Sequence, residues 1–359
     1  MPCIAKRRGR WVIDCYDQQG KRYRKTLPAG ITKQKARTIL RDIEEKVARG
    51  TFLHEKRTPT FEEVAAEWHH YKKSNLRATT WEMYEIHTRL HFKEIQHVKI
   101  NQITIAAVEK WIARRQAEGM CLGMLRKLLV TFNQIMSYSV RHRLIDFNPV
   151  RDAERPRKTI DNDPAGKNTI LKPDQIRKLL DATESNKYRT LFLTAVMTGA
   201  RQGELLGLKW FDVDFERKQI HIKRTFNNGR FFEPKTKSSI RSIDISPALI
   251  LELRKWRLAS GSKDQDLVFT NESGGPIYHD NMYKRHFKPA LKTAGLPAIR
   301  FHDLRHTYAS LLIEQGENIK YIQSQMGHST PTVTLDVYSH LMKSENPEAA
   351  MRLEKTIFS

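Results

Sequence analysis

Between Arg155 and Asn168 the chain reads RPRKTIDNDPAGKN. Proline, glycine and charge are mixed there without apolar periodicity, so the stretch has no face to bury and reads as a linker. A chain of 359 residues interrupted in this way does not suit a single core, and its length fits two or three domains. Upstream of the linker, apolar residues recur mostly at helical spacing. Downstream, helices and strands are mixed. The pattern predicts a multidomain protein, mainly α with small β-sheets, divided as 1–58, 59–154, the linker 155–168, and 169–359.

Residues 1–30 are basic and alternating. Arg10–Tyr16 sets Trp11, Ile13 and Cys15 against Val12, Asp14 and Tyr16, and a turn at Asp17–Gly20 leads into Lys21–Leu27, so two or three short strands are expected. Thr32 caps a helix to about Arg49, with Ala36, Ile39, Leu40, Ile43 and Val47 in one stripe, and Gly50 stops it. Residues 59–154 predict a compact all-helical domain. Thr60-Phe61-Glu62-Glu63 resembles a capping box ahead of Val64, Ala65, Trp68 and Tyr71. Thr79 or Thr80 caps a second helix through Trp81, Tyr84 and His87, and Ile103–Glu118 and Leu122–Arg143 supply the next two.

Beyond the linker, Lys172-Pro173 opens a helix through Ile176, Leu179 and Leu180, and a second runs from Lys187 through Met197. It meets Thr198–Leu208 (TGARQGELLGL), where two glycines bracket Arg201 and let the backbone aim the guanidinium inward. A buried arginine needs an anion or a carboxylate, and Glu204, three residues on, can either buttress the next helix or fix an arginine. Strands are expected at Gln219–Thr225, Arg230–Pro234 and Ser239–Ile245, with a turn at Asn227-Asn228-Gly229. A further turn around Lys235–Ser238 puts Lys235 and Lys237 on a hairpin tip. Helices follow at Ala248–Ala259, Asn281–Ala294, His302–Glu314, Ile319–Met326 and Pro347–Glu354.

Lys and Arg number 63 against 40 Asp and Glu, a net charge of +23. That excess points to a polyanion, most often nucleic acid, although ribosomal or membrane-surface binding would give a similar charge. Residues 1–58 alone hold 16 Lys or Arg and 6 Asp or Glu, and a basic sheet backed by a helix can lay strands in a DNA groove. Cys3, Cys15 and Cys121 form no CxxC pair, which reads as a reducing compartment without disulfides or zinc. No apolar run approaches the length of a membrane span, and no signal peptide is expected.

The densest chemistry lies in Phe301–His340, which packs His302, Arg305, His306, His328 and Tyr338 into one segment. On a helix His302, Arg305 and His306 share a side. Gly327-His328 follows an apolar-periodic run, so His328 lies just past a helix end. Three readings stand here: a helical bundle with packed histidines and a core tyrosine, a two-histidine zinc helix, or phosphoryl transfer without metal. Arg305 beside the would-be ligands disfavours the cation.

Four motifs in order, Thr198–Leu208 (TGARQGELLGL), Phe301–Thr307 (FHDLRHT), Met326–Ser329 (MGHS) and Thr334–His340 (TLDVYSH), resemble the tyrosine recombinases of the phage-integrase family. The match spans about 169 to 345. Residues 60–155 look like that family's core-site DNA-binding domain, and the basic 1–58 unit looks like an arm-site-binding domain. The resemblance implies an α+β catalytic domain at 169–359 in which Tyr338 is the nucleophile on the scissile phosphate. Arg201 and Arg305 clamp the phosphate oxygens, His302 is the general acid/base, His328 hydrogen-bonds the phosphate, and Glu204 supports the site. Lys235 protonates the leaving oxygen, with Lys237 as its near rival; His306 stays outside the core set. The resemblance further implies double-stranded attachment-site DNA as substrate and a homotetramer that recombines two sites. It also implies a bacterial cytoplasmic setting, a host DNA-bending protein and an excision factor, and no cofactor or metal.

The chemistry of those residue types agrees. Phosphoryl transfer gathers charge on equatorial oxygens, which planar arginine forks meet in pairs, so two arginines and a histidine can stand in for Mg²⁺. A tyrosine with an ordinary pKa near 10 needs a cationic pocket to attack. A covalent link conserves the phosphodiester energy, and no GxxxxGK[ST] loop for ATP is present. Two rivals share these features in part: a type IB topoisomerase-like relaxase, and a non-catalytic DNA-binding regulator.

Overall fold

The computed structural model describes residues 2–50, 52, 58–157, 169–233, 240–330, 332 and 347–358. Its contacts divide the chain into two units, Met1–Ala165 and Gly166–Ser359. Most of the expected linker, the expected hairpin tip with Lys235 and Lys237, and the segment with Tyr338 lie outside the described residues.

The first unit opens with an antiparallel meander, β1 (Cys3–Arg7), β2 (Arg10–Tyr16) and β3 (Arg22–Thr26), in that order. Arg8 and Gly9 both adopt positive φ, the twist a two-residue hairpin requires. Asp17 closes the next turn by accepting from the backbone N–H groups of Gln19 and Lys21. Helix α1 (Lys33–Ala48) starts where the Thr32 hydroxyl accepts from Lys35 N at 3.3 Å. Its Ala36 and Ile43 close over Ile13, Cys15, Tyr23 and Leu27 to make a small core.

A second core in this unit belongs to α2 (Phe61–Lys73), α3 (Ala78–His91), α4 (Ile105–Ala117), α5 (Leu122–Arg141) and the short α6 (Pro149–Asp152). The capping box at α2 forms: Thr60 N donates to Glu63 Oε2 at 2.7 Å, and Glu63 N to Thr60 Oγ1 at 3.3 Å. Along α5, Leu125, Leu128, Leu129, Phe132, Ile135 and Met136 form the buried stripe. Two boundaries differ from expectation. α3 begins at Ala78, not after Thr79 or Thr80, because the extended Arg77 offers its carbonyl to Thr80 N and Trp81 N and the threonines fall inside the first turn. α6, capped by the Asn148 side chain on Val150 N, is too short to carry a periodic signal.

In the second unit, α7 (Pro173–Asp181), α8 (Asn186–Thr198) and α9 (Gln202–Leu206) precede the strands β4 (Val213–Asp214), β5 (Gln219–Ile222), β6 (Thr225–Asn227), β7 (Arg230–Phe232) and β8 (Arg241–Asp244). β4, β5 and β8 form one antiparallel sheet with β5 central, and β6 and β7 form a separate hairpin. Asn228 and Gly229, both at positive φ, make its turn. The expected strand 219–225 breaks because Lys223 and Arg224 turn to the buried carboxylate of Asp212.

Helix α10 (Pro247–Ser260) follows, then α11 (His279–Met282), a π-helical turn at Tyr283–Phe287, and α12 (Lys288–Thr293). A single helix was expected over 281–294. Pro289 brings no N–H to the ladder, and the turn before it widens. The chain continues through α13 (Asp303–Glu314), α14 (Ile319–Met326) and α15 (Pro347–Phe358). Phe192, Trp210, Phe269 and Phe287 lie fully inside the core, and Ile220, Ile222 and Ile243 seal the sheet against it. Among the described residues no helix is long and apolar enough to cross a membrane.

Candidate active site

The site is built where three chain ends meet: the C-terminus of α8, the start of α13 and the C-terminus of α14. α8 stops at Gly199, whose φ of 57° is left-handed. A Cβ there would run into the ring of Tyr308 on α13, so glycine is required twice over. The chain then extends through Arg201, which caps α9. Its N–H donates to Glu204 Oε2 at 2.8 Å, its Nη1 to Glu204 Oε1 at 2.9 Å, and its Nη2 to the Gly327 carbonyl at 2.9 Å. The Arg201 side chain keeps 38% of its surface open, so its charge reaches solvent.

Arg305 is only 3% exposed. Its Nη1 donates to the Gly199 carbonyl at 2.5 Å and its Nη2 to the Met326 carbonyl at 2.6 Å. Those oxygens end α8 and α14, where the helix dipoles carry partial negative charge, so the cation is held by the two helix termini. Thr307, two residues on, is pinned from the other side: its hydroxyl donates to the Asp303 carbonyl and accepts from Leu171 N. Asp303 in turn holds Arg300 through Nη2 at 2.6 Å.

Glu204 is 5% exposed and sits between two arginines. Arg241, the first residue of β8, donates through Nη1 at 3.1 Å and Nη2 at 2.9 Å to its two oxygens. Burial alone would raise the Glu204 carboxyl, but the hydrogen bonds and charge of Arg241, and then the charge of Arg201, outweigh it and hold the pKa low. The carboxylate stays ionised.

His302 precedes α13 at the exposed rim, its ring 5.1 Å from that of His306 and nearly perpendicular. Lost hydration at the ring, and then the charges of His306, Arg305 and Arg300, lower its pKa to about 4. His328 follows Gly327 and is half-buried; its N–H donates to Gln323 O and its carbonyl accepts from Gln323 Nε2. Burial, followed by Arg305, Arg201 and Arg241, lowers it to about 4 as well. Burial lowers His306 in the same direction. At neutral pH these imidazoles are uncharged, each able to donate from one nitrogen and accept at the other. An incoming phosphate would offset the arginine charges and raise them again.

The structure thus brings Arg201, Glu204, His302, Arg305 and His328 into one locality, with His306 beside them. Lys235, Lys237 and Tyr338 lie outside the described residues. Among the described residues no group of three or more His, Cys, Asp or Glu is placed to hold a metal ion. The residue that sequence reasoning missed is Arg241. A signal existed: Arg241 falls in phase with Ile243 and Ile245, so an alternating strand points its arginine to the buried side.

Comparisons with known proteins bear on the family and the fold. The sequence pattern described as "Phage integrase family" matches residues 169–345, and "Phage integrase, N-terminal SAM-like domain" matches residues 60–114. A tyrosine recombinase XerC-like protein of Caldanaerobacter subterraneus is 29% identical over 77% of this chain and 78% of its own length. The ICEBs1 integrase of Bacillus subtilis is 28% identical over 71% and 72%. The integrase of Staphylococcus phage L54a is 25% identical over 85% and 95%. The fold is shared with the Tn1549 transposon integrase in complex with a circular intermediate DNA (TM-score 0.67, 21% identity, 83% of this chain and 99% of that one). It is also shared with a lambda integrase tetramer bound to a Holliday junction (TM-score 0.62, 17% identity, 92% and 96%).

Proposed function

The chain belongs to the phage integrase family of tyrosine recombinases and is a site-specific DNA recombinase, and on that premise we propose how it cuts and rejoins DNA. Tyr338 attacks the scissile phosphorus, a 3′-phosphotyrosyl bond forms, and the 5′-oxygen leaves with a proton from Lys235, or from Lys237 in its place. Arg201 and Arg305 neutralise the non-bridging oxygens. Neutral His302 can take the tyrosine proton, and His328 donates a hydrogen bond to the phosphate. Ligation runs the same steps backwards with a new 5′-hydroxyl. Positive charge from the arginines does the work a metal would otherwise do, and the covalent link removes any need for ATP.

The observation that carries this reading is the convergence of two arginines on the C-terminal carbonyls of α8 and α14, with His328 next in the chain after Gly327 and His302 at the head of the helix that carries Arg305. Each carbonyl bond uses one of a guanidinium's five donors. The 1–58 unit is proposed to bind arm-type DNA, and the 59–154 helices core-type DNA, with the linker 155–168 letting the two units act on one duplex. The working form is a homotetramer on two attachment sites in the bacterial cytoplasm, with a host DNA-bending protein and an excision factor setting direction. Exposed Met351, Leu353, Ile357 and Phe358 on α15 suit docking on a neighbouring protomer.

A suicide-substrate assay tests the chemistry. The protein and its Tyr338→Phe variant are incubated in EDTA with a nicked duplex carrying the attachment sequence from the flanks of the encoding element. A denaturing gel should show a covalent adduct that requires Tyr338 and ignores EDTA. DNA that is bound but never trapped would point instead to a regulator. Turnover of a supercoiled plasmid without a second matched site would point to a relaxase.

A further inference from the structure

At the end of α14, three consecutive carbonyl oxygens each accept from a different arginine. Arg241 Nε donates to Gln325 O at 2.6 Å, Arg305 Nη2 to Met326 O at 2.6 Å, and Arg201 Nη2 to Gly327 O at 2.9 Å. The next residue is His328. Two of these arginines belong to the proposed phosphate clamp. Arg241 differs: its side chain is 6% exposed and spends both terminal nitrogens on Glu204.

From this geometry, and resting on the reading of the site given above, we infer that Arg241 is a positioning residue that sets where Arg201 and His328 stand. It acts through two contacts. Its fork meets both oxygens of Glu204, so the buried carboxylate is largely balanced before Arg201 arrives. Arg201 then shares only Nη1 and its backbone N–H with Glu204, and Nη2 remains on the Gly327 carbonyl. Without Arg241, an ionised and buried Glu204 would look for its missing donors in the nearest cation, which is Arg201. The clamp arginine would be drawn toward Glu204 and away from the carbonyl before His328. The second contact, to Gln325 O, anchors the helix end from which His328 emerges. Asp244 N, three residues along the same strand, repeats the tie by donating to Gln325 Oε1 at 2.9 Å. β8 therefore grips α14 through both the backbone and the side chain of residue 325.

The test compares wild type, Arg241→Met and the double variant Arg241→Met/Glu204→Gln in single-turnover cleavage of the nicked attachment duplex at saturating protein. DNA affinity and thermal melting are measured alongside. Displacing a clamp by about an ångström costs on the order of 100-fold in rate, so Arg241→Met should cleave roughly 100-fold more slowly while binding DNA as wild type does. Neutralising Glu204 removes the pull on Arg201, so the double variant should recover at least about tenfold over the single one. Recovery stays partial because the Gln325 anchor is still missing. A purely architectural role would make the double variant no faster than the single, and that result overturns the inference, as does an Arg241→Met rate within about threefold of wild type. If Arg241→Met does not hold its fold, Arg241→Lys replaces it: charge without the fork should cleave about tenfold more slowly, and an unchanged rate overturns the inference equally. Failure of wild type itself to give the Tyr338-dependent adduct would instead refute the proposed chemistry.

Discussion

Replacing Gly199 by alanine should destabilise the second unit through two separable effects. The first is conformational: φ is 57°, and an L-residue held there costs about 1–2 kcal/mol. The second is steric: the new Cβ would overlap the Tyr308 ring, which is buried beside Ala309 and Ile322 and has little room to retreat. Overpacking of this kind costs about 1–3 kcal/mol, so the two together come to roughly 2–5 kcal/mol. Gly261 supplies the control. It ends α10 in the same left-handed conformation at φ 61°, but a Cβ there meets nothing within 4 Å. Gly261→Ala should therefore show the conformational cost alone. For a unit of this size each kcal/mol lowers Tm by roughly 2–4 °C, so calorimetry should separate a fall of about 4–20 °C for Gly199→Ala from one of about 2–8 °C for Gly261→Ala. Equal falls would refute the claim that Tyr308 is a fixed wall. A Gly199→Ala protein with the larger fall should also lose cleavage, because the carbonyl of residue 199 holds Arg305.

Two further outcomes follow from the same geometry. His302 and His328 are lowered from an ordinary 6.5 to about 4, so the unfolded chain takes up their protons first; stability should be complete above about pH 6.5 and decline as pH falls toward 4. Melting curves across that window should decline less steeply for a His302→Gln/His328→Gln double variant, and an identical decline would remove these two residues as the cause. Thr60→Ala should cost the first unit about 1 kcal/mol in urea unfolding, because Glu63 N loses the hydroxyl that accepts from it while the backbone arm of the capping box stays, and Thr60→Ser should be nearly neutral.

Where a local rule governs a local shape, the sequence was readable. Thr60 with Glu63, Thr32 before α1 and Asn228-Gly229 in the hairpin each solve a backbone problem within a few residues, and each stands where expected. The spacing of Arg201 and Glu204 allowed the carboxylate either to buttress the next helix or to fix an arginine, and the structure has it hold Arg201. Contacts between distant segments were not readable in this way. Arg241 meets Glu204 and Gln325 across separations of 37 and 84 residues, and nothing within its own strand names those partners. The break between β5 and β6 was hidden for the same reason, since it depends on Asp212 drawing Lys223 and Arg224 aside. From α11 into α12 the periodicity continued through Pro289 while the hydrogen-bond ladder could not, and the pattern alone ran straight across the π turn.

Gly203 and Gly207 lie close against β6; a Cβ on Gly203 would collide with the Thr225 hydroxyl and meet the Phe226 carbonyl at 2.8 Å, and one on Gly207 would meet the Phe226 amide nitrogen at 3.1 Å. Ordinary side-chain packing leaves a compliant layer through which one element can tilt while its neighbour stays still. Here that layer is thinned to one short hydroxyl side chain at Gly203 and to bare backbone at Gly207, so the turn that carries Arg201 and the hairpin of β6 and β7 should move together. Lys235 follows three residues after β7 in the chain. A force on the hairpin, from a groove of DNA or from another protomer, would thus be felt at the first arginine of the site with little compliance in between.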